Sequence, residues 1–562
     1  MEMFRRLALI TFVSGLTLVS TAGCPRARSQ NRVAYVQPPT SQPAEKQTPA
    51  SQPATTPNAP AQAPAALGGE TPEQALRAAL TIAVGDPRLL GAKLSVLVQS
   101  LATTATAPLY ALAPDAARVP ASNAKLLTTT AAATALRRYR FVTEVSHRRG
   151  GPIYIWSTGD PLLKGKDIAK LALMAKRRGV RSVRGVVVDD SYFDKRRLAP
   201  GFTSFSEGAY YRPTSSALNV DGNAVTIRIS APRGRRRPRV DVYPPSDYVK
   251  VHKRLRFYKK RRRRRGQPRR PARKAKVEIA MRRRGSIMWL DIKGIVPRGM
   301  RPISTRRAVY DPALNVGWAL RRALKKAGVK VKGVVRRGRR PKRAPVLARH
   351  GRRLTAILKA TNLHSDNLAA ETLVRAMGKL GQSGRAKKTW ELGLARLTKE
   401  LKAIGVEDFW LGNGSGLHRR SRVTAKMMVT LLQAIYRDPR RKRMLLPTLS
   451  IAGRAGTLAR RMRGTAAEGS VKGKTGTLGG VLALSGFVFA QPAEDRVQTV
   501  RAPLAFSILV NGKSNRRARA AIDRIAELLA LYVNGKSLAL PSSLPTSLPT
   551  SQPSSAPAIT SP

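Results

Sequence analysis

Three short segments of this 562-residue chain hold residue types able to do nucleophilic chemistry. The first is Pro120-Ala121-Ser122-Asn123-Ala124-Lys125, running into Leu126, Leu127 and a stretch rich in Thr and Ala. A Ser and a Lys three apart on a helix lie on one face, within reach of each other. A serine hydroxyl is a poor nucleophile until a neighbour takes its proton, and a lysine forced neutral by burial or a nearby cation can take it. Ser122 would also stand at the helix N-terminus, where the dipole favours developing negative charge. The second segment is His364-Ser365-Asp366-Asn367, and the third is Lys472-Gly473-Lys474-Thr475-Gly476-Thr477. A Ser-x-x-Lys alone decides nothing, because about one or two arise by chance in a chain this long. Three such segments in order, each in a suitable context, point to an active serine.

The surrounding sequence says what must position them. The Ala- and Leu-rich run after Ser122 predicts a buried helix, preceded by a helix over 72–82 and a strand over 93–98. The last part of the chain carries the other two segments and ends in a strand over 504–510 and an amphipathic helix over 516–531. One site must draw on both parts. The expected architecture is therefore α/β and multi-domain: a catalytic domain of residues 70–144 and 347–535, interrupted by inserted lobes at 145–346. Short β-rich runs at 185–190 and 224–229, with a helix over 313–327, make the insertion mainly β.

The ends read differently. Residues 1–24 look like an export signal: Arg5 and Arg6 form a basic start, 7–20 an apolar run too short for a membrane span, and Thr21-Ala22-Gly23 a small-residue cleavage site. Cys24, the single cysteine, follows at once and resembles the lipidated cysteine of a bacterial lipoprotein, although Thr21 departs from the usual aliphatic residue of that pattern. The expected location is the periplasm or cell envelope, with the membrane touched only through a lipid on Cys24. With one cysteine, no intramolecular disulfide can form. Residues 25–69 repeat Ser-Gln-Pro-Ala and read as a disordered spacer, and 536–562 form a similar Ser/Pro/Thr-rich tail.

The formal net charge is +74, and a basic stretch at 253–276 includes five consecutive arginines at 261–265. Nucleic acid is not expected as a partner of an exported protein. A solvated surface loop is the favoured reading, with anionic envelope polymers as the functional alternative. Other chemistries fail on spacing. Gly473-Lys474-Thr475 could end a phosphate-binding loop, but Glu468 stands where the earlier glycine is required. Residues 412–416 lack the G-x-G-x-x-G spacing, and the five histidines are scattered without H-E-x-x-H, so no metal or other cofactor is expected. His364 reads as packing or surface.

The three segments match the S-x-x-K, S-D-N and K-T-G set of class A β-lactamases and penicillin-binding proteins. Together with Gly159-Asp160-Pro161, 189–194, 216–219, 414–417, 456–458 and 509–512, the chain resembles the D-alanyl-D-alanine carboxypeptidase/endopeptidases of the class C penicillin-binding proteins, serine peptidase family S13. The long gap between Ser122 and Ser365 suits that family, in which accessory lobes separate the first two motifs. Asn413 departs from the Asp that the family more often carries before Gly-Ser-Gly.

The resemblance implies a role for each motif residue. Ser122 would be the nucleophile and Lys125 its base, Ser365 would relay the proton, and Asn367 would bind the peptide and orient Lys125. Lys474 would supply positive potential, while Asp366, Thr475, Gly476 and Thr477 would line the substrate, with backbone N–H groups of Ser122 and Thr477 as the oxyanion hole. The expected partners are peptidoglycan stem peptides and β-lactam inhibitors. The stretch 479–484 reads as an edge strand able to receive an extended peptide. A β-lactamase would need a deacylating Glu-x-x-Leu-Asn after the second motif, which is missing between Asn367 and Lys474. A non-catalytic wall-binding protein of the same fold would have no need of both Ser122 and Lys125.

Overall fold

A computed structural model describes residues 70–202, 209–232, 234, 236–258, 274–383, 387–491 and 501–538. The expected export signal, Cys24, the spacer, most of the tail and the arginines at 261–265 lie outside the described residues.

The central element is an antiparallel six-stranded sheet in the order Ser450–Ile451, Val471–Leu478, Val481–Val488, Leu504–Asn511, Lys93–Ser100, Tyr110–Leu112. Its strands alternate with period two, so each side chain set faces a different layer. Val96, Val98, Leu482, Leu484, Ile508 and Val510 face one core, shared with the helices Pro72–Val84 and Arg516–Val533. Leu97, Ala483, Phe487, Ala505 and Leu509 face the other, shared with a group of helices that includes Ala124–Ala135, Asn367–Lys379, Thr389–Lys402 and Ala425–Arg437. The terminal helices begin where their caps dictate. Thr71 and Gln74 form a capping box, and the Asn515 side chain accepts from the Ala518 N–H at 2.8 Å.

The Ala124–Ala135 helix runs through the middle of the helical layer, and Ala124 to Ala133 are all buried. Its three buried threonines are accommodated there because each hydroxyl finds an acceptor: Thr128 donates to the Gly414 carbonyl, Thr129 to that of Lys125 and Thr130 to that of Leu126, each at 2.8 Å.

Between the two groups of site segments lies a mixed five-stranded sheet, ordered Val335–Arg337, Val186–Asp189, Ile153–Ser157, Phe141–His147, Val346–Arg352. The boundaries expected at 144/145 and 346/347 fall inside its last two strands, which pair with each other: Phe141 lies opposite Arg352 and Glu144 opposite Arg349. The two ends of the expected insertion are thus adjacent antiparallel strands. The expected helix over 313–327 is observed as Pro312–Lys326, capped by Asp311. A second helix, Gly165–Arg177, was not anticipated. It buries Ile168, Leu171, Ala172 and Ala175. Two three-stranded sheets and the short parallel pair of Ser182–Val183 with Lys330–Val331 complete the sheets described in this region.

One expectation about the large sheet is corrected. Val481–Val488 is an interior strand, buried at all eight positions and paired on both sides. The open edge belongs to its neighbour: Ser450–Ile451 pairs only with Gly473 and Lys472, so Val471–Leu478 has no outer strand partner beyond Gly473 among the described residues. A largely apolar run suits a central strand, since neither face meets water, and its one hydroxyl, Ser485, is met by Asn123 Nδ2 at 2.7 Å and Ser507 Oγ at 2.9 Å.

Candidate active site

Ser122 lies in a 3-10 turn, Ala121–Asn123, that continues directly into the Ala124–Ala135 helix. Ala121 adopts a positive φ of 46°, a conformation that costs a non-glycine residue about 1–3 kcal/mol and is held here by its surroundings. Two glycines let those surroundings close in. Gly416, at φ 77°, would collide through any Cβ with the Ala121 carbonyl oxygen, and a Cβ on Gly476 would stand 2.8 Å from the Pro120 oxygen. We expect Gly416→Ala to lower unfolding stability by about 3 kcal/mol, measured by thermal melting, because both the positive φ and the contact oppose it.

Lys125, one helical turn on from Ser122, is wholly buried. Its ammonium donates to Ser122 Oγ at 2.9 Å and to the Ser415 carbonyl at 2.8 Å. Burial lowers its pKa from the ordinary 10.5 to about 7, against the pull of the Glu371 and Asp366 carboxylates in the other direction. Lys474 comes from the open-edged strand, is equally buried, and donates to Ser365 Oγ and to the Thr475 carbonyl, both at 2.9 Å. Its pKa is pushed well down, first by burial and then by the charge on Lys125. Two ammonium groups do not share this dry space readily.

Ser365 follows the Leu354–Leu363 helix and takes a positive φ of 55°. Asp366 caps the next helix, Asn367–Lys379, by accepting from the Ala369 N–H at 2.9 Å, so its carboxylate is engaged as a cap. The structure brings Ser122, Lys125, Ser365 and Lys474 together as two Ser–Lys pairs, with Gly476 against the nucleophile turn.

Asn367 sits differently from the expectation that it orients Lys125. Its side-chain amide donates to the Tyr211 carbonyl at 2.6 Å, and its buried Oδ1 has no hydrogen-bond partner among the described residues. The second acceptor of the Lys125 ammonium is instead the Ser415 carbonyl. Thr475 donates its hydroxyl to Thr457 Oγ1 at 2.8 Å, while Thr477 is exposed at the open edge. His364 is exposed. Asn413 is wholly buried and donates from Nδ2 to the Pro200 carbonyl at 2.8 Å, a bond an aspartate could not make.

Three contributors to the site were missed as such from sequence. Ser415 and Thr457 lie within segments already noted for their resemblance, but their contacts are long-range. Glu371 had a local signal, being a lone charge among Leu368, Ala369, Ala370, Thr372 and Leu373 on a buried helical stretch.

An antiparallel sheet backed by helices, with a Ser–Lys pair at a helix head and a second Ser–Lys pair whose lysine comes from an open-edged strand, defines an active-serine hydrolase of the penicillin-binding type. The chain belongs to the D-Ala-D-Ala carboxypeptidase 3 (S13) family, whose model matches residues 76–532. It is 34% identical over 483 residues to a D-alanyl-D-alanine carboxypeptidase of Actinomadura sp. (strain R39), covering 81% of this chain and 85% of that protein. It is 25% identical over 420 residues to the D-alanyl-D-alanine carboxypeptidase DacB of Haemophilus influenzae, covering 70% and 80%. Among solved structures, penicillin-binding protein 4 (dacB) from Haemophilus influenzae shares the fold with a TM-score of 0.66 at 22% identity, over 82% of this chain and 99% of that one. A second structure of that protein, complexed with a β-lactam, aligns with a TM-score of 0.62 at 22% identity, over 81% and 99%.

Proposed function

We propose that this chain is a serine-type D-Ala-D-Ala carboxypeptidase/endopeptidase acting on peptidoglycan stem peptides and sensitive to penicillins. The observation that carries the reading is the 2.9 Å contact between Lys125 Nζ and Ser122 Oγ inside a buried site. Ser122 Oγ attacks the carbonyl carbon of the terminal D-Ala-D-Ala bond as Lys125, in its neutral form, takes the hydroxyl proton. The tetrahedral oxyanion is met by the backbone N–H groups of Ser122 and Thr477. The C–N bond then breaks, Ser365 passes a proton to the departing amine, and D-alanine leaves an ester on Ser122. Water hydrolyses that ester to regenerate the hydroxyl.

Lys474 draws in the substrate carboxylate, with Thr475 and Thr477 beside it. A carboxylate there favours the ammonium form of Lys474, and that charge in turn keeps Lys125 neutral. Asn367 contributes its amide to the substrate peptide, and the open edge of Val471–Leu478 receives the peptide backbone as an added strand. Defined muropeptides, digested and read by mass, test the reading directly. Release of one D-alanine per pentapeptide is expected, and cleavage of D-Ala-linked cross-bridges measures the endopeptidase share. Intact muropeptides after incubation would overturn it.

Residues 1–24 are proposed as an export signal, with lipidation of Cys24 and a location at the cell envelope. No described helix is long and apolar enough to cross a membrane. The basic stretch 253–276 is proposed to bind anionic envelope polymers and to take no part in catalysis, because it lies far in sequence from all three motifs. Replacing the arginines at 261–265 with serine is expected to weaken binding to isolated cell walls at low salt. The difference should shrink at high salt, since a Debye length of about 8 Å at physiological ionic strength screens such attraction. Hydrolysis of a small D-Ala-D-Ala peptide should hardly change, and its collapse in a folded variant would place the stretch in the active site.

A further inference from the structure

Glu371 lies on the Asn367–Lys379 helix and is wholly buried. A carboxylate in such a place is costly unless every oxygen is answered. Here both are. Oε1 accepts the Ser415 N–H at 2.9 Å, and Oε2 accepts the Gly414 N–H at 3.3 Å and the Trp390 indole N–H at 2.9 Å. The carbonyls of the same two residues face the other way, toward the nucleophile helix: that of Gly414 takes the Thr128 hydroxyl, and that of Ser415 the Lys125 ammonium, each at 2.8 Å. Residues 414 and 415 are therefore gripped from both sides, by their N–H groups and by their carbonyls.

We infer that Glu371 is the positioning residue for Lys125, its carboxylate fixing the Gly414-Ser415 backbone so that the Ser415 carbonyl aims the lysine at Ser122. This rests on the reading of Lys125 as the base. The carboxylate also acts through its charge. It acts on two buried cations, Lys125 and Arg375, and raises the pKa of both against the effect of burial. The other charged groups acting on this lysine pair are Asp366, which favours the Lys125 ammonium, and Lys474, whose own protonation Lys125 opposes. Arg375 is held separately. It donates to the backbone carbonyls of Ser215 and Asp194, each at 2.8 Å, and its guanidinium lies 4.6 Å from the Phe193 ring centroid and 4.2 Å from that of Trp390.

The charge separates positioning from a merely structural staple, because only the former moves a titration. The second-order rate of acylation by penicillin, measured across pH on the full chain, is compared for wild type, Glu371→Gln and Glu371→Asp, with thermal melts alongside. Glu371→Gln loses an acceptor and the charge. Its rate should fall about 100-fold, the loss expected from roughly an ångström of misplacement. Its acid limb should move to lower pH than in wild type, because the Lys125 ammonium loses a neighbouring anion. Glu371→Asp keeps the charge and shortens the reach, so its rate should fall while its acid limb stays in place.

A glutamine variant with the wild-type rate, or with a reduced rate but an unmoved limb, overturns the inference. Should the glutamine variant fail to fold, the aspartate variant decides: an unchanged rate overturns it, and a fallen rate at an unmoved limb supports it. A wild-type chain that never acylates would overturn the active-serine reading itself, and this inference with it.

Discussion

Ser122→Ala is expected to abolish covalent labelling by a fluorescent penicillin and to cut peptide hydrolysis by at least about 10⁴-fold, in line with losses of a serine nucleophile elsewhere. Among the described residues, the Lys125 ammonium bonds to no other side-chain hydroxyl. Ser365, the other site serine, is held by Lys474 and belongs to a different pair. The fold should survive. The lost Oγ is only one of two acceptors for Lys125, whose bond to the Ser415 carbonyl remains. The melting temperature is therefore expected to move by no more than a loss of about 1 kcal/mol implies, the usual net worth of one hydrogen bond. A persistent adduct on the alanine variant, located by mass on another residue, would remove Ser122 from its role.

Lys125→Arg should be almost as damaging, for a different reason. The base must be neutral to accept a proton, and burial puts the Lys125 pKa at about 7. Below that pH most molecules carry the ammonium, and each unit of acidification removes about ten-fold in rate. Above it the rate levels off. Acylation should thus rise with pH through about 7, with the apparent value belonging to the coupled pair of Lys125 and Lys474 rather than to one residue alone. A guanidinium cannot give up its proton in this range, so the arginine variant should be inactive across the whole profile, although its charge and much of its length are kept. Rates from pH-jump acylation would check both halves. An arginine variant that acylates at near the wild-type rate would mean that some other group takes the Ser122 proton.

Sequence by itself determined whatever depends on local spacing. The Ser122–Lys125 contact follows from three residues of helix. The strand Lys93–Ser100 and the helix Arg516–Val533 follow from residue type and period within a short window, whereas the helix cap made by Asp366, expected to line the substrate, emerges from the structure. The order of the three motifs, with the long gap between the first two, was enough to place the chain in its family. Tertiary structure alone decided which edges and which partners meet. The run after Thr477 reads as strand in sequence, but whether a strand is central or at an edge depends on what lies beside it. Here Val481–Val488 has Val471–Leu478 on one side and Leu504–Asn511 on the other, which makes it interior. Asn367 is assigned by its motif in sequence, yet in the fold its amide meets Tyr211, 156 positions away. Glu371 and the Ser415 carbonyl become visible as the support of Lys125 only once the helix and the loop are packed together. Hydrogen bonds between residues tens to hundreds of positions apart leave no periodicity to read, because their geometry is set by the packing of the layers and not by the chain.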